Sequence, residues 1–263
     1  LTQTTDSSLL LFGTIFSFLP VLILFVLNVY AFAGPYKQYK PDRLFWKREY
    51  FKDIFGLGVS FFIIQLSVIV MFSTDNFIIT QLFSPKEVVP YNIAYKYISI
   101  SSMIFTIILT PYWSSITQAY AKGELEWIKR SIKYLMIFAV LILFLILILV
   151  ISAPIAYKLW LGNSVTIPFK LTVGMAVFFG VTLTYAPYNF FINGIGKIRL
   201  HMYSFGIGAI LNIPLSIVLV KYMALGVEGV IIASIICVLP NLLLFPMQYF
   251  KLINKKASGI WNK

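Results

Sequence analysis

The feature that most constrains this chain is a series of seven long apolar windows poor in charge. They are Ser8–Ala33, Gly56–Leu82, Pro90–Gln118, Tyr134–Tyr157, Pro168–Phe191, Leu200–Val220 and Gly229–Phe250. A helix rises about 1.5 Å per residue, so about 20 residues cross a hydrocarbon layer about 30 Å thick. Each window is long enough, and each carries Leu, Ile, Phe and Val around its whole circumference rather than in alternation. Barrel strands would be about ten residues long with one polar face. The expected fold class is therefore all-α and integral to a membrane: a polytopic helix bundle with seven transmembrane helices. Composition agrees. Apolar residues make up 60% and charged residues 11% of the 263 positions, where a soluble domain carries about a quarter charged residues.

The formal charge is +12, and its placement decides what it means. Sixteen Lys and Arg fall on one side of the spans: the connector after the first window, the Lys122–Lys133 and Lys197–Arg199 turns, and the tail. Four fall on the other side, Lys86, Lys158, Lys170 and Lys221, and Lys96 lies inside a span. The positive-inside rule then predicts an outside N-terminus and a cytoplasmic tail. The charge is topological first and attracts anionic membrane lipids second; nucleic acid is not an expected partner. Cys237 is the only cysteine and His201 the only histidine. That excludes an internal disulfide, a thiolate zinc site, His-based metal clusters and most catalytic triads. The chain opens on Leu1 with no basic n-region or cleavage site, so we read its start as a cut end.

The longest connector, Tyr36–Phe55, follows Gly34-Pro35 and is the expected domain boundary, with one span before it and six after it. Within Arg43–Phe55, Leu44, Phe51, Ile54 and Phe55 share a face opposite Arg48 and Lys52, which predicts an interfacial helix. The outer loops are short, and no low-complexity tract or internal repeat stands out. Trp127, Tyr157, Trp160 and Tyr249 fall where aromatic rings anchor at an interface.

The second and third windows form a hairpin about Ser84-Pro85-Lys86-Glu87, with Asp75 and Lys96 at similar depth on its two arms. Charges inside apolar helices are costly unless paired or facing water. The structural reading is a mutual ion pair; the alternatives are Lys96 attracting an anionic substrate group, or Asp75 taking up a coupling proton. Ser60, Ser67, Thr74 and Gln81 recur every seven residues and so form one narrow stripe, flanked by Asp75. On the third window Tyr91, Tyr95, Ser99, Ser102, Thr106, Thr110, Trp113 and Thr117 form a polar and aromatic face of full bilayer depth, edged by Asn92 and Lys96. Such stripes either pack helices together or line a hydrated cavity, and the Tyr, Trp and Lys favour the cavity. Aromatic rings in a wet wall suit sugars, which stack apolar faces and hydrogen-bond their hydroxyls. Thr182, Tyr185, Asn189 and Asn193 make a further polar face beside Pro187. Pro111 and Pro187 are expected to kink their helices. Ser204, Gly208, Asn212 and Ser216, spaced by four, read as a close helix contact.

Ser73-Thr74-Asp75-Asn76-Phe77-Ile78-Ile79, followed by Val88, Tyr91 and Ala94, resembles the S-x-D-x-x-I-I and V-x-x-Y-x-x-A stretches of bacterial polysaccharide flippases. These belong to the multidrug/oligosaccharidyl-lipid/polysaccharide exporter superfamily, the MATE-like transporters. Asn193-Gly194-Ile195-Gly196-Lys197, Gly208-Ala209-Ile210-Leu211-Asn212-Ile213-Pro214 and Leu225-Gly226-Val227-Glu228-Gly229-Val230 resemble three further runs of that family, with Val230 where Ala is usual. The likeness covers roughly Gly56–Val238. It implies two six-helix lobes rocking about a central cavity. Residues 1–33 would then be the last helix of the first lobe, 34–55 the cytoplasmic interlobe linker, 56–250 the second lobe and 251–263 a basic cytoplasmic tail.

The resemblance implies a flippase that moves an undecaprenyl-pyrophosphate-linked oligosaccharide, such as an O-antigen, capsule or exopolysaccharide repeat unit, across the bacterial cytoplasmic membrane. The alternative is a cation-coupled multidrug exporter of the same fold. An enzyme is not expected, because no sizeable external loop presents acids or Arg. The expected cavity residues are Ser60, Ser67, Thr74, Asp75, Gln81, Tyr91, Asn92, Tyr95, Lys96, Ser99, Ser102, Thr106, Trp113, Tyr185 and Asn189. No catalytic residue, metal ligand or cofactor is expected; coupling to H+ or Na+ stays open. The expected partners are the lipid-linked glycan, membrane lipids, the first lobe of the same protein and polysaccharide polymerase machinery.

Overall fold

The computed structural model describes residues 2–40, 48–162 and 164–263, with side chains from 10 onward except 41–54 and 163. Eight α-helices account for most of them: α1 Thr2–Ala33, α2 Arg48–Leu82, α3 Val88–Lys122, α4 Leu125–Leu161, α5 Phe169–Gly194, α6 Arg199–Lys221, α7 Glu228–Val238 and α8 Asn241–Ile253. Seven spans are long and apolar enough to cross a membrane, α7 and α8 together making the last, Glu228–Ile253. The protein is a multi-pass, all-helical membrane protein, and no strand occurs among the described residues.

The chain divides into two compact units, Leu1–Phe55 and Gly56–Lys263. In the first, α1 exposes Leu10, Phe16, Phe25 and Tyr30, and its helical bonding satisfies the backbone as a hydrocarbon layer requires. A short 3-10 turn at Lys37–Tyr39 follows it. The interfacial helix expected over Arg43–Phe55 lies largely outside the described residues; from Arg48 the backbone is already helical and continuous with α2.

In the second unit α5 is the axis, packing against α3, α4, α7 and α8, while α6 packs against α7. The buried face of α4 shows how sequence sets this packing. Ile128, Ile132, Leu135, Ala139, Ile142 and Ile146 are buried at alternating steps of four and three. Leu141, Phe144, Ile148, Ile151 and Ile155 point outward. Both faces are apolar, so water does not choose between them; close fit and small residues do. At Gly229 an added Cβ would lie 3.1 Å from Val220 Cγ2 and 3.3 Å from the Leu219 carbonyl carbon, so its absence lets α7 close on α6.

Helix ends follow local chemistry. Gly123 takes φ +76 and donates its N–H to Ala119 O and Tyr120 O, closing α3 in a left-handed cap. The α2–α3 connection falls at the expected Ser84–Glu87 turn, with the Glu87 N–H donating to Ser84 O. Pro111 lies inside α3, and Pro187 inside α5, without ending either helix. The last window, expected as one helix, is broken at Leu239-Pro240. Proline has no N–H to return to the preceding turn, so the bonding pattern lapses there. The segment after α8 folds back on the bundle: Arg199 N–H donates to Lys263 O, and Lys251 Nζ lies 3.8 Å from the Trp261 ring centre.

Candidate functional site

Two sites emerge in the second unit, one open and one closed. The open site is a groove of about 450 Å³ along α3, lined by Tyr95, Ser99, Ser102, Met103, Thr106, Ile107, Thr110 and Phe179. Four of the expected cavity residues, Tyr95, Ser99, Ser102 and Thr106, meet there. Their helical spacing sets them along one face; Lys96, next to Tyr95 in sequence, is exposed but does not line the groove. The Ser99, Thr106 and Thr110 hydroxyls donate to carbonyls one turn back, on Lys96, Ser102 and Thr106. Their oxygen lone pairs thus still face the groove as acceptors. The Tyr95 ring is held by Phe72 at 5.9 Å and Phe179 at 5.3 Å between centroids. An aromatic ring with hydroxyls along the same helix face offers a polar, sugar-sized ligand stacking and hydrogen bonds.

The closed site is centred on Asp75, which is 1% exposed. The expected Asp75–Lys96 ion pair is not formed; the structure corrects that reading. Asp75 Oδ2 accepts from Tyr91 Oη at 2.7 Å and from Ser234 Oγ at 3.2 Å. Ser234 in turn accepts from Asn212 Nδ2 at 2.8 Å. The register of the hairpin explains the outcome: Asp75 and Asn76 meet Tyr91 and Asn92, and Phe72 meets Tyr95, so Lys96 lies further along α3 than the residues opposite Asp75, and it is exposed where Asp75 is buried. Lys96 has no ion-pair partner, and among the described residues the only ion pair is Lys129–Glu126. Among the described residues Asp75 Oδ1, and on α6 Asn212 Oδ1 and Ser216 Oγ one turn further along, are buried oxygens without a hydrogen-bond partner. An all-oxygen set with one carboxylate and no competing cation suits a hard monovalent cation or a proton carried by water.

The remaining expected residues scatter. Tyr91 is 4% exposed and belongs to the Asp75 cluster rather than to the groove. Asn92 donates to Asn76 Oδ1 at 3.0 Å across the hairpin. Ser60 and Ser67 donate to Gly56 O and Ile63 O on their own helix. Thr74 is half-buried and Gln81 exposed. Trp113 is wedged between Phe61 and Phe190, at 6.1 and 5.5 Å between centroids. Tyr185 is buried against the Asn241 side chain, and Asn189 is half-buried with Oδ1 unpartnered.

Sequence reasoning missed Ser234 altogether and read Asn212 and Ser216 as helix contacts. The available signal was the bulk of Asn212: an amide in the middle of an apolar helix demands partners that a small-residue contact does not. No metal-binding group of His, Cys, Asp and Glu occurs among the described residues.

No curated protein and no solved structure matches the chain. The family model MatE matches residues 61–218, which take in α3, α4 and α5 whole, most of α2 and α6, the groove, Asp75 and Asn212. Seven spans, a second unit that begins as α2 enters its apolar stretch, and a match over more than half the sequence agree: the chain belongs to the MatE family of membrane transporters.

Proposed function

We propose that this chain serves a flippase that carries the polar head of an undecaprenyl-pyrophosphate-linked oligosaccharide across the bacterial cytoplasmic membrane by alternating access. The basic end of the bundle lies in the cytoplasm in this reading, as the Lys and Arg distribution favours. The groove on α3 carries the reading. Its Tyr95 ring and its Ser and Thr oxygens match a glycan, and Lys96, exposed and unpaired, matches a pyrophosphate. A hydrophobic drug cation would gain nothing from Lys96 and would be repelled by it.

The Asp75 cluster supplies the coupling element in the same reading. Its unpartnered oxygens would hold H+ or Na+, and through Tyr91 and Ser234 the occupant would bear on α3 and α7 together. A cation that bound two arrangements of these helices unequally would shift their populations by its differential affinity.

The test is export of surface polysaccharide by the full-length protein carrying Tyr95→Ala and Lys96→Ala together. Export collapses while the amount of protein in the membrane stays normal, because Lys96 is exposed with no ion pair among the described residues and Tyr95 is only half-buried. Tyr95→Phe, which keeps the ring, retains most of the activity. Normal export by the double variant would remove the groove as the glycan passage.

A further inference from the structure

The α3 groove is built from two unlike rows of side chains, and the hydrogen bonds already made inside it limit what can lie there. Helical spacing sorts its α3 residues into two rows at steps of four. Tyr95, Ser99, Met103 and Ile107 make one row; Ser102, Thr106 and Thr110 make the other. The second row is hydroxyl throughout. The first opens with a ring and a hydroxyl and then turns apolar, with Met103 69% and Ile107 66% exposed. Phe179 on α5 adds a further apolar surface, and among the described residues no charged side chain lines the groove.

The placement of protons narrows the ligand further. The Ser99, Thr106 and Thr110 hydroxyls donate to carbonyls of their own helix at 2.8, 2.8 and 2.7 Å. A hydroxyl carries one proton, so toward the groove these three oxygens accept and do not donate. Ser102 Oγ makes no such bond among the described residues, and its proton is free for a ligand. A ligand along the groove therefore meets three acceptors, one donor beside them and an apolar strip at Met103 and Ile107.

Each class of sugar fares differently against that pattern. The carboxylate of an acidic sugar only accepts, so it would set lone pairs against lone pairs and find no cation among the lining residues. A fully hydroxylated ring would hold hydroxyls against Met103 and Ile107, where a thioether is at best a weak acceptor. A ring with O–H or amide N–H groups along one edge and a methyl on the other suits both rows, because the methyl leaves water for the apolar strip.

We propose that the α3 groove selects neutral, methyl-bearing sugar residues, the class of 6-deoxy and N-acetylamino sugars, over fully hydroxylated and acidic ones. The methyl rests on Met103 and Ile107 while the ring donors reach Ser99, Thr106 and Thr110. Met103 is then a specificity-determining residue. Ser102 separates the two members of the class: its hydroxyl can donate to an acetamido carbonyl, which a 6-deoxy sugar lacks. This selectivity rests on the reading of the groove as the glycan passage.

Methyl NMR of the whole protein, labelled at methionine and held in lipid nanodiscs, tests it. Of the seven methionines, Met103 lines the groove and Met71 is a buried reference. Met103→Leu identifies the Met103 signal. The probes are the methyl glycosides of a hexose, its 6-deoxy counterpart, the N-acetylated hexosamine and the uronic acid. The 6-deoxy and N-acetyl glycosides shift the Met103 signal but not that of Met71, and bind about threefold more tightly than the hexoside. That is less than the roughly tenfold a methylene gives in a closed pocket, because the groove is open. The uronide moves nothing. In saturation-transfer experiments Met103→Gln lowers the 6-deoxy and N-acetyl glycosides to the level of the hexoside. Ser102→Ala weakens the N-acetyl glycoside more than the 6-deoxy one. Met103 is exposed and Ser102 Oγ bonds to nothing in the protein, so neither change strains the fold. Equal binding of all four glycosides, or a ranking that Met103→Gln leaves unchanged, overturns the selectivity and leaves the groove a glycan passage. Equal weakening of both glycosides by Ser102→Ala overturns the role given to Ser102. A Met103 signal that no glycoside moves overturns the selectivity and the glycan passage together.

Discussion

The hydrogen bond from Tyr91 to Asp75 should be the strongest single polar contact holding the α2–α3 hairpin. It is 2.7 Å long, and its partners are 4% and 1% exposed. Polar contacts between membrane helices average about 0.6 kcal/mol because alternative partners exist in the unfolded state. Bonds to a charged group are worth about 1.5–3 kcal/mol. The length does not decide between these, since 2.7 Å is where neutral and charge-assisted O–H···O distances meet. Burial does: both partners are buried, where a hydrogen bond is stronger than in water, and among the described residues Ser234 is the only other donor to the carboxylate. We therefore expect a coupling energy of about 1.5–2 kcal/mol, read from a double-mutant cycle of Tyr91→Phe and Asp75→Ala by unfolding in lipid nanodiscs. The Asn76–Asn92 pair, 3.0 Å apart and half-buried on the same two helices, is the internal reference and should give about 0.6 kcal/mol. A Tyr91–Asp75 coupling no larger than that of the asparagines would refute the argument from burial.

Gly229→Ala should destabilise the protein by about 1–3 kcal/mol, seen as a lower melting temperature, because the new methyl meets the α6 backbone at Leu219 and Val220. Gly206→Ala, on the same helix pair's open side with nothing within 4 Å, is the control and should melt no lower. Thr106→Phe should fill the α3 groove and lower export without lowering the melting temperature, since Thr106 is exposed and bonds only within its own helix.

Much of this architecture was legible from the linear pattern because lipid is a demanding solvent. Every backbone group in hydrocarbon must be bonded locally, so a long apolar window becomes a helix almost regardless of its neighbours. The seven spans and the Ser84–Glu87 turn follow from that alone. The groove was partly legible for a related reason: Tyr95, Ser99, Ser102 and Thr106 share a helix, and helical periodicity relates them without any knowledge of the fold. The break at Pro240 was overlooked because the residues on both sides are uniformly apolar, and hydropathy is blind to a missing N–H.

The sequence by itself determined that the chain spans a membrane seven times, which end of the bundle is basic, and which hydroxyls share the face of α3. Only the tertiary structure decided where Asp75 spends its charge. Residue number gives the position along one helix, but the register between two helices and the direction in which a side chain points depend on how the bundle closes. Asp75 meets Ser234, 159 residues later, because α7 approaches α2 closely enough for the serine to donate to it, and that serine in turn accepts from Asn212 on α6.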